Sequence, residues 1–433
     1  MLLLYTHKST PRLNFIFKHF FTRILNIEVD FTSKVEQFIA HRGPKITYGK
    51  KPLGRELFIR NHDLLFEQGI NDVDIRMGTW QDVPCFFMTR QEASVPFDVF
   101  AASFYLLSRY EEYLPHVKDA FERYPAEESL AFKSGFLDKP LIDIWAYKFK
   151  AVLNKQSPNF EFPDRKYTIK PVIDIPVAYN FKLKGLMRGI GSTLNDLVRL
   201  KPKKLYYRYL VLMGIKEDPY DTFEYILSKQ RQSRFKFIFF FLIGDYSTYD
   251  KNINISKAKF VSLIKHVSDY SIVGLKASYF ALTDVKILKK EKEKMEAVTN
   301  SSLVASRNSF SKLNLPESYR NLVDLEIPED YTMGYVNHVG FRAGTCTPFF
   351  FYDLDYEVQT PVKIYSYNVL DYTLLKVNSL LDKKKLINEI IQEIKAVNGY
   401  FIPVFHNYTF SEIERWEGYK ELFELIIRST DET

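Results

Sequence analysis

The stretch VGFRAGTCTPF, from Val339 to Phe349, carries the clearest signal in this sequence. Its arginine, Arg342, lies between two glycines, and a Pro-aromatic pair ends the stretch. Two other polar residues also follow apolar runs, namely Asp174 in VIDIP and His406 in VFHNY. In alternating strand-helix domains, functional side chains collect where strands end. These three residues are therefore the first candidates for a functional site.

The part of the chain after residue 165 alternates strand and helix patterns. Amphipathic helices, among them residues 257–267 and 386–397, separate most of the apolar and β-branched runs. This alternation predicts a parallel sheet, and a closed barrel is one way to arrange it. The predicted strands are residues 168–175, 235–243, 272–278, 302–306, 331–336, 362–369 and 400–405.

Four polar residues lie at or just past the ends of these predicted strands. Asp174 lies at the end of the first strand, Lys276 lies near the end of the third, Arg342 follows the fifth and His406 follows the seventh. We expect the four side chains to converge on one rim of the sheet.

Residues 1–165 show a different pattern, which mixes short strands with helices. Residues 2–5 predict a strand, and residues 12–25 and 97–113 predict helices. The Pro-containing polar segment 157–164 is typical of a linker. The chain is thus predicted to divide into a mixed α/β accessory domain, residues 1–165, and a strand-helix domain, residues 166–433.

The composition is that of a globular protein with many aromatic residues. A length of 433 residues exceeds what one hydrophobic core usually serves. The chain has 29 Tyr and 37 Phe, whose rings pack in cores but also stack on sugars. The net charge of +7 is small, and basic clusters such as KPKK at 201–204 indicate a solvated face, with an anionic glycan or a membrane surface as alternatives. No nucleic-acid-binding motif accompanies them.

The number of cysteines and the N-terminal sequence bear on the predicted cellular location of the protein. The two cysteines, Cys85 and Cys346, are too few for a disulfide scaffold. The N-terminus lacks the pattern of a secretory signal, and the longest apolar run, residues 237–243, is too short to span a bilayer. These features predict a cytoplasmic protein without a membrane span.

On these motifs, the C-terminal region resembles the NodB-homology domain of carbohydrate esterase family 4, the polysaccharide deacetylases. The whole chain resembles a two-domain group of deacetylase-like proteins from Bacteroidetes, on residues 97–113, 316–322, 333–335 and 340–348. The resemblance implies a distorted barrel of seven strands. It also implies removal of an acetyl group from a sugar, with zinc or another divalent metal, held by one Asp and two His, activating a water.

By this resemblance, Asp174 is the general base, His406 is the catalytic acid, and Arg342 is the arginine that orients Asp174. Each residue also has a structural alternative. Asp174 could be a turn or cap residue, Arg342 could form an ordinary loop ion pair, and His406 could be a buried core histidine.

The metal-binding positions of the family are replaced in this chain. The second Asp of the first-strand motif corresponds to Pro176, which has no ligating side chain. A His position corresponds to Lys276, whose ammonium is only a donor, and further expected His positions hold Phe280 and Ser309. We therefore predict no metal cofactor. We also expect Lys276 to fill the metal position as a catalytic-site residue paired with Asp174.

The remaining site prediction concerns substrate contacts. Around the four catalytic positions, the predicted substrate-binding residues are Tyr279, Thr345, Pro348 and Phe349.

Three functions stay open at this point. The leading interpretation is a degenerate deacetylase-like protein that binds a glycan or a protein partner in surface-polysaccharide metabolism. The first alternative is an active deacetylase on a polysaccharide precursor, with displaced ligands or a metal-free mechanism through Asp174, Lys276 and His406. The second is a non-enzymatic scaffold that docks through its N-terminal domain. A family resemblance does not choose among them, because one fold hosts many activities.

Overall fold

The computed structural model describes residues 1–89, 92–184, 198, 200 and 202–430. Its strands are β1 Leu2–Thr6, β2 Val29–Thr32, β3 Lys45–Gly49, β4 Leu57–Arg60, β5 Gly78–Trp80, β6 Val83–Cys85, β7 Thr168–Ile169, β8 Val172–Ile175, β9 Ile238–Leu242, β10 Ile272–Ala277, β11 Ala305–Asn308, β12 Glu329–Asp330, β13 Phe349–Asp353, β14 Val358–Ile364, β15 Val369–Leu370, β16 Tyr400–Phe401 and β17 Pro403–His406.

The helices occur throughout the chain. The α-helices are α1 Pro11–Phe17, α2 Val35–Ala40, α3 Val99–Leu107, α4 Leu130–Lys133, α5 Leu141–Gln156, α6 Pro202–Leu212, α7 Phe223–Gln232, α8 Ala258–Ser268, α9 Val285–Thr299, α10 Glu317–Asp324, α11 Asp371–Leu374, α12 Leu380–Ala396 and α13 Tyr419–Arg428. A π-helix, Lys18–Ile24, continues α1. Short 3₁₀ segments are Asp63–Leu65, Tyr110–Glu112, Ala126–Glu128, Phe280–Leu282, Ser309–Ser311, Asn407–Ser411 and Glu414–Trp416.

The chain forms two compact units, and each is assembled from separate stretches of sequence. Unit 1 comprises Met1–Thr168, Leu313–Asn368 and Asn388–Phe401, and unit 2 comprises Ile169–Lys312, Val369–Ile387 and Ile402–Thr433. The division into domains after residue 165 stays a prediction.

Unit 1 contains a parallel four-stranded sheet in the order β2-β1-β3-β4. The predicted N-terminal strand is present as β1, and the predicted helix 12–25 is present as α1 with its π-helical continuation. The Phe17 ring packs edge-on against the Phe100 ring of α3, with 4.5 Å between centroids. Many of the aromatic residues thus build a core, which is where most aromatic side chains of proteins lie.

Unit 2 is built on parallel strands in the order β11-β10-β9-β8-β17-β15. The central strand β9, with the sequence IFFFL, is buried along its whole length. A continuous apolar run of this kind is typical of a parallel strand covered on both faces. Helix α8 buries Phe260, Ile264 and Val267, which are spaced on one helix face. Unit 2 is therefore an α/β layer structure with a parallel sheet, as predicted.

The predicted closed seven-stranded barrel is wrong. Among the described residues, the strand order in unit 2 ends at β15, and no ladder joins β15 to β11, so the sheet is open. One of the seven predicted strands is also missing, because residues 331–336 have no strand structure. The Asp330 carboxylate accepts hydrogen bonds from the Thr332 backbone N–H at 2.9 Å and the Thr332 hydroxyl at 2.5 Å. This local side-chain turn ends β12 where the apolar pattern predicts a longer strand.

Along the part of the chain that the structure describes, no helix is both long enough and apolar enough to cross a bilayer. The cytoplasmic location stays a prediction.

We predict that Gly274→Ala in β10 destabilises the protein by about 1–3 kcal/mol, because the added methyl overpacks the core. A Cβ at this position would lie 2.5 Å from the Phe240 ring and 2.8 Å from the Ala305 carbonyl oxygen. Urea unfolding followed by circular dichroism measures the change. The matched control is Gly49→Ala in β3, where the nearest atom to a new Cβ is 3.9 Å away. Equal effects of the two substitutions would contradict the packing argument.

Candidate functional site

Three of the four predicted catalytic residues lie at one edge of the unit 2 sheet. Asp174 belongs to β8, Lys276 to β10, and His406 ends β17. In the β-ladders, His406 is paired with Asp174, and Lys276 is paired with Arg307 of β11. Because all these strands are parallel, their carboxyl ends meet at the same edge, which is where open α/β sheets bind ligands.

The Asp174 carboxylate is the centre of this edge. Its Oδ2 atom accepts hydrogen bonds from Lys276 Nζ at 2.8 Å and from Arg307 Nε at 2.9 Å. His406 Nε2 lies 3.7 Å from the same oxygen. The second oxygen, Oδ1, is buried and has no hydrogen-bond partner within the described structure. The predicted pairing of Lys276 with Asp174 is thus present, and a second cation shares the same oxygen.

Burial and charge act in opposite directions on these groups. Burial alone would raise the pKa of Asp174, but the charges of Arg307 and Lys276 hold that pKa below its usual value. Burial lowers the pKa of Lys276, and the Arg307 charge lowers it further, whereas Asp174 raises it. Asp174 is therefore an ionised carboxylate and a weak base at neutral pH.

His406 is held by a second carboxylate. Its Nδ1 atom lies 2.9 Å from Asp371 Oδ1, and its backbone N–H donates to Asp371 Oδ2 at 2.6 Å. Asp371 directly follows β15, which is hydrogen-bonded to β17. A carboxylate on Nδ1 fixes the ring orientation and directs Nε2 towards Asp174.

Aromatic side chains surround His406. Tyr408 stacks on the imidazole with 5.1 Å between centroids, and Tyr372 packs against it edge-on at the same distance. The two tyrosine hydroxyl oxygens are 2.8 Å apart. Trp416 and Tyr220 extend this surround, because their rings pack against Tyr372 and Tyr408 respectively.

A cavity of about 860 Å³ lies in unit 2 beside this aromatic surround and shares Tyr220 and Trp416 with it. One side chain connects its wall to the site, and a second connects two parts of the wall. The Asn407 amide, next to His406 in sequence, donates to the Tyr220 carbonyl oxygen at 2.9 Å. The buried Asp218 carboxylate accepts from the backbone N–H groups of Phe181 and Tyr220 at 2.7 and 3.1 Å. These hydrogen bonds of Asn407 and Asp218 hold the backbone at Phe181 and Tyr220, and thereby position the two rings in the wall.

Tyr279 lies beyond the end of β10, in a second aromatic group of unit 2. Its ring stacks on Tyr249 with 4.0 Å between centroids, and Lys312 Nζ lies 5.0 Å from the ring centroid. Its backbone N–H donates to Asp250 at 2.9 Å. The substrate-binding role of Tyr279 stays a prediction.

Arg342 does not have the contacts that the sequence predicts. Its Nε and Nη2 atoms donate to the two carboxylate oxygens of Glu112 at 2.9 and 2.6 Å, and Nη1 donates to the Gly334 carbonyl oxygen. Arg109 also donates to Glu112, at 2.7 Å. All these residues belong to unit 1, so the structural alternative, an ion pair, describes Arg342. Arg307, rather than Arg342, is the arginine on Asp174.

The other predicted substrate-binding residues are buried in unit 1. Thr345 donates to Asp143 at 2.5 Å, and the Thr347 hydroxyl bonds the same carboxylate. Pro348 and Phe349 are also buried. No exposed face of these residues is available to a sugar in this structure, and their role as substrate contacts stays a prediction.

The residues around Asp174 do not fit the divalent metal that the family resemblance implies. A divalent metal such as zinc needs about four ligands around one point, drawn mainly from His, Cys and carboxylate groups. Here Lys276 and Arg307 bring two positive groups to Oδ2, and like charges repel a cation. Within the described residues, no group of three or more His, Cys, Asp and Glu could hold a metal.

Two residues of the site were not predicted, although the sequence contains a signal for each. Asp371 lies two residues past the predicted strand 362–369, and Asp174 lies at the end of its own predicted strand, 168–175. Arg307 follows the predicted strand 302–306. Both fit the rule that identified Asp174, so applying that rule to every predicted strand would have found them.

Comparisons with known proteins give limited similarity. A family of unknown function, DUF7033, matches residues 2–158. A search of curated proteins returns no match. Among solved structures, the chain is similar to a "putative polysaccharide deacetylase" from Mycobacterium smegmatis, with 10% identity, a TM-score of 0.39, and coverage of 62% of this chain and 86% of the other. It is also similar to a GH138 enzyme targeting pectin rhamnogalacturonan II, with 10% identity, a TM-score of 0.25, and coverage of 99% of this chain and 63% of the other. Similarity at these levels establishes neither a shared fold nor a shared activity.

We predict a strong energetic coupling between Asp174 and Lys276. Asp174→Asn leaves two buried cations without their counter-charge and should destabilise the protein by about 3–5 kcal/mol. Adding Lys276→Met should recover at least about 1 kcal/mol of this loss, because the repulsion is reduced. A double-mutant cycle by urea unfolding measures the coupling. The matched control is the exposed pair Lys50–Asp63, where the same cycle should give less than about 1 kcal/mol. A coupling near zero for the buried pair would refute the arrangement.

Glu112 gives a prediction about acid stability. Burial raises its pKa, but the charges of Arg342 and Arg109 outweigh burial and lower it to about 2. A depressed folded pKa contributes stability above the unfolded pKa of about 4.3, and this contribution is lost as pH falls towards the folded value. The free energy of unfolding of the wild type should therefore exceed that of Glu112→Gln by about 3 kcal/mol at pH 7. The difference should shrink between about pH 4.5 and 2. A difference that stays constant over this range would contradict the assignment.

Proposed function

We propose that this protein is a deacetylase-like carbohydrate-binding protein in which two protein cations replace the metal. The observation that supports this most directly is that Lys276 Nζ and Arg307 Nε both donate to one oxygen of Asp174. The motif resemblance predicts a metal ion at this edge. Lys276 and Arg307 provide positive charge there, but they do not provide the Lewis-acid function of a metal. An ammonium or guanidinium group donates hydrogen bonds, but neither lowers the pKa of a bound water as a metal does.

The aromatic surround supports a sugar as the ligand. Tyr220 and Trp416 line the cavity, and their rings present apolar faces with polar edges, which suit the C–H faces and hydroxyl groups of a sugar ring. Oδ1 of Asp174 is a buried acceptor without a partner in the described structure, although Asp174 itself does not line the cavity. Small-molecule sites commonly combine such apolar walls with a few placed polar groups.

The lowered pKa of Asp174 weighs against conventional hydrolysis. A general base is most effective when its pKa lies near the working pH, and Asp174 lies on the acidic side of its ordinary value. The binding of a glycan without turnover is therefore the function that we favour.

One observation favours a second candidate, metal-independent deacetylation. The Asp371–His406 pair resembles the base-orienting pairs of hydrolases, with Nδ1 held at 2.9 Å and Nε2 directed into the site. Nε2 would accept a proton from water as the oxygen adds to the acetyl carbonyl, and would return it to the sugar oxygen or nitrogen as acetate leaves. Lys276 would then stabilise the charge on the carbonyl oxygen.

Glycan binding should depend on the cavity rings. Trp416→Ala and Tyr220→Ala should each weaken the binding of an acetylated oligosaccharide about tenfold, because each removes a stacking surface. Isothermal titration with N-acetylglucosamine oligomers and acetylated xylan oligomers measures the affinity. Tyr270→Ala is the matched control, because this half-exposed tyrosine precedes β10, away from the carboxyl edge. Equal affinities of all variants would refute the assignment of the cavity as the glycan site.

Metal content separates the two candidates from the conventional enzyme. After dialysis against zinc, cobalt and nickel, elemental mass spectrometry should find well below one metal ion per chain. Stoichiometric metal in the wild type that is lost in Asp174→Asn would overturn the replacement of the metal by Lys276 and Arg307. Acetate release in the presence of a chelator, abolished by His406→Ala, would establish the second candidate in place of binding alone.

A further inference from the structure

Helix α6 exposes an apolar stripe that the carbohydrate site does not use. Tyr206, Tyr209 and Met213 follow one another at helical spacing, and they are 69%, 46% and 71% exposed. Leu212 and Ile215 add exposed apolar surface at the C-terminal end. These five residues are called the α6 stripe below.

The other side of the helix faces the protein. Arg208 and Val211 are buried, so α6 is anchored to unit 2 by one side while the α6 stripe faces outward. Exposed large apolar residues scattered singly need no explanation, but a group of them on one helix marks an interaction surface.

The charge of this segment is one-sided. Residues 197–216 contain six basic residues and no acidic residue, and Asp196 and Glu217 border this segment. Lys203, Lys204 and Lys216 are exposed among the described residues of this segment. Helices that lie in the interface of an anionic bilayer typically combine an apolar stripe that contains aromatic residues with lysines beside it.

We propose that the α6 stripe docks this protein onto an anionic phospholipid surface. The apolar side chains of the α6 stripe enter the headgroup region, and Lys203, Lys204 and Lys216 contact lipid phosphates. Each basic residue near such a surface strengthens binding about fivefold. No residue of the α6 stripe lines the cavity, whereas Lys203 and Lys204 do, so substitutions in the α6 stripe test docking separately from glycan binding.

A second copy of the chain fits this surface less well. A twofold interface uses the same patch on both subunits, so it would bring two basic segments against each other. An anionic surface offers the complementary charge instead, and it accepts exposed apolar side chains without requiring shape complementarity.

The test is co-sedimentation of the full-length protein with vesicles at ~0.1 M KCl, where charge interactions act over about 10 Å. One set of vesicles is pure phosphatidylcholine, and in the other one quarter of the lipid is phosphatidylglycerol. We expect binding to the anionic vesicles at least tenfold stronger than to the neutral ones, and a similar loss at ~0.5 M KCl. Absence of binding to the anionic vesicles, or equal binding to both sets, would overturn the proposal.

Variants locate the contact on α6. The triple substitution Y206S/Y209S/M213S and the double substitution K203E/K204E should each weaken binding at least tenfold. The matched controls are L381S, at another exposed leucine, and K289E/K290E, at exposed lysines on α9, and they should bind as the wild type does. All substituted side chains are exposed, and thermal unfolding checks that each variant folds. Unchanged binding of the triple variant would refute docking through α6.

A labelled position provides an independent readout. Cys85 and Cys346 are both buried, so M213C introduces an accessible thiol for an environment-sensitive fluorophore. The emission should shift to the blue on addition of anionic vesicles, as the dye enters an apolar environment. An unchanged spectrum with vesicle-bound protein would contradict the proposal. Sedimentation velocity without lipid should give a monomer, and self-association that the triple variant abolishes would assign the α6 stripe to a second copy instead.

Discussion

The arrangement of unit 2 depends on one buried carboxylate that serves two cations. Asp174 Oδ2 accepts from Lys276 and Arg307, which come from β10 and β11, while Asp174 itself belongs to β8. None of the three side chains is acceptable alone in this buried environment, because an isolated buried charge is very unfavourable. The cluster therefore constrains the ends of several strands at once. This constraint reaches β17, where His406 lies near the same oxygen and is oriented by Asp371.

Much of this edge could be predicted from the sequence. Asp174, Lys276 and His406 were identifiable because each is a polar residue at the end of an apolar run, and parallel strands bring such ends together. Arg307 and Asp371 fit the same rule, but the family resemblance assigns no role to either residue. Arg342 is the opposite case. Its glycine-flanked loop matches the family motif, but its guanidinium forms an ion pair with Glu112 in unit 1.

The predictions that failed depend on long-range pairing and local turn chemistry. Whether a parallel sheet closes depends on pairing between its first and last strands, which no local pattern encodes. Residues 331–336 are apolar enough for a strand, but the hydrogen bonds from Thr332 to Asp330 turn the backbone. The interleaved composition of the two units has a similar origin, because segments distant in sequence, such as Leu313–Asn368, join unit 1 through tertiary contacts.

Helix α6 lines the cavity with one side and exposes the α6 stripe on the other. Thermodynamic linkage applies to binding on these two sides. Lys203 and Tyr207 line the cavity, whereas Tyr206 and Tyr209 point outward from the same helical turns. Linkage requires that the effect of a cavity ligand on binding at the outer side has the same size as the reverse effect. The change that a cavity ligand makes in membrane affinity therefore equals the change that the membrane makes in the affinity for that ligand.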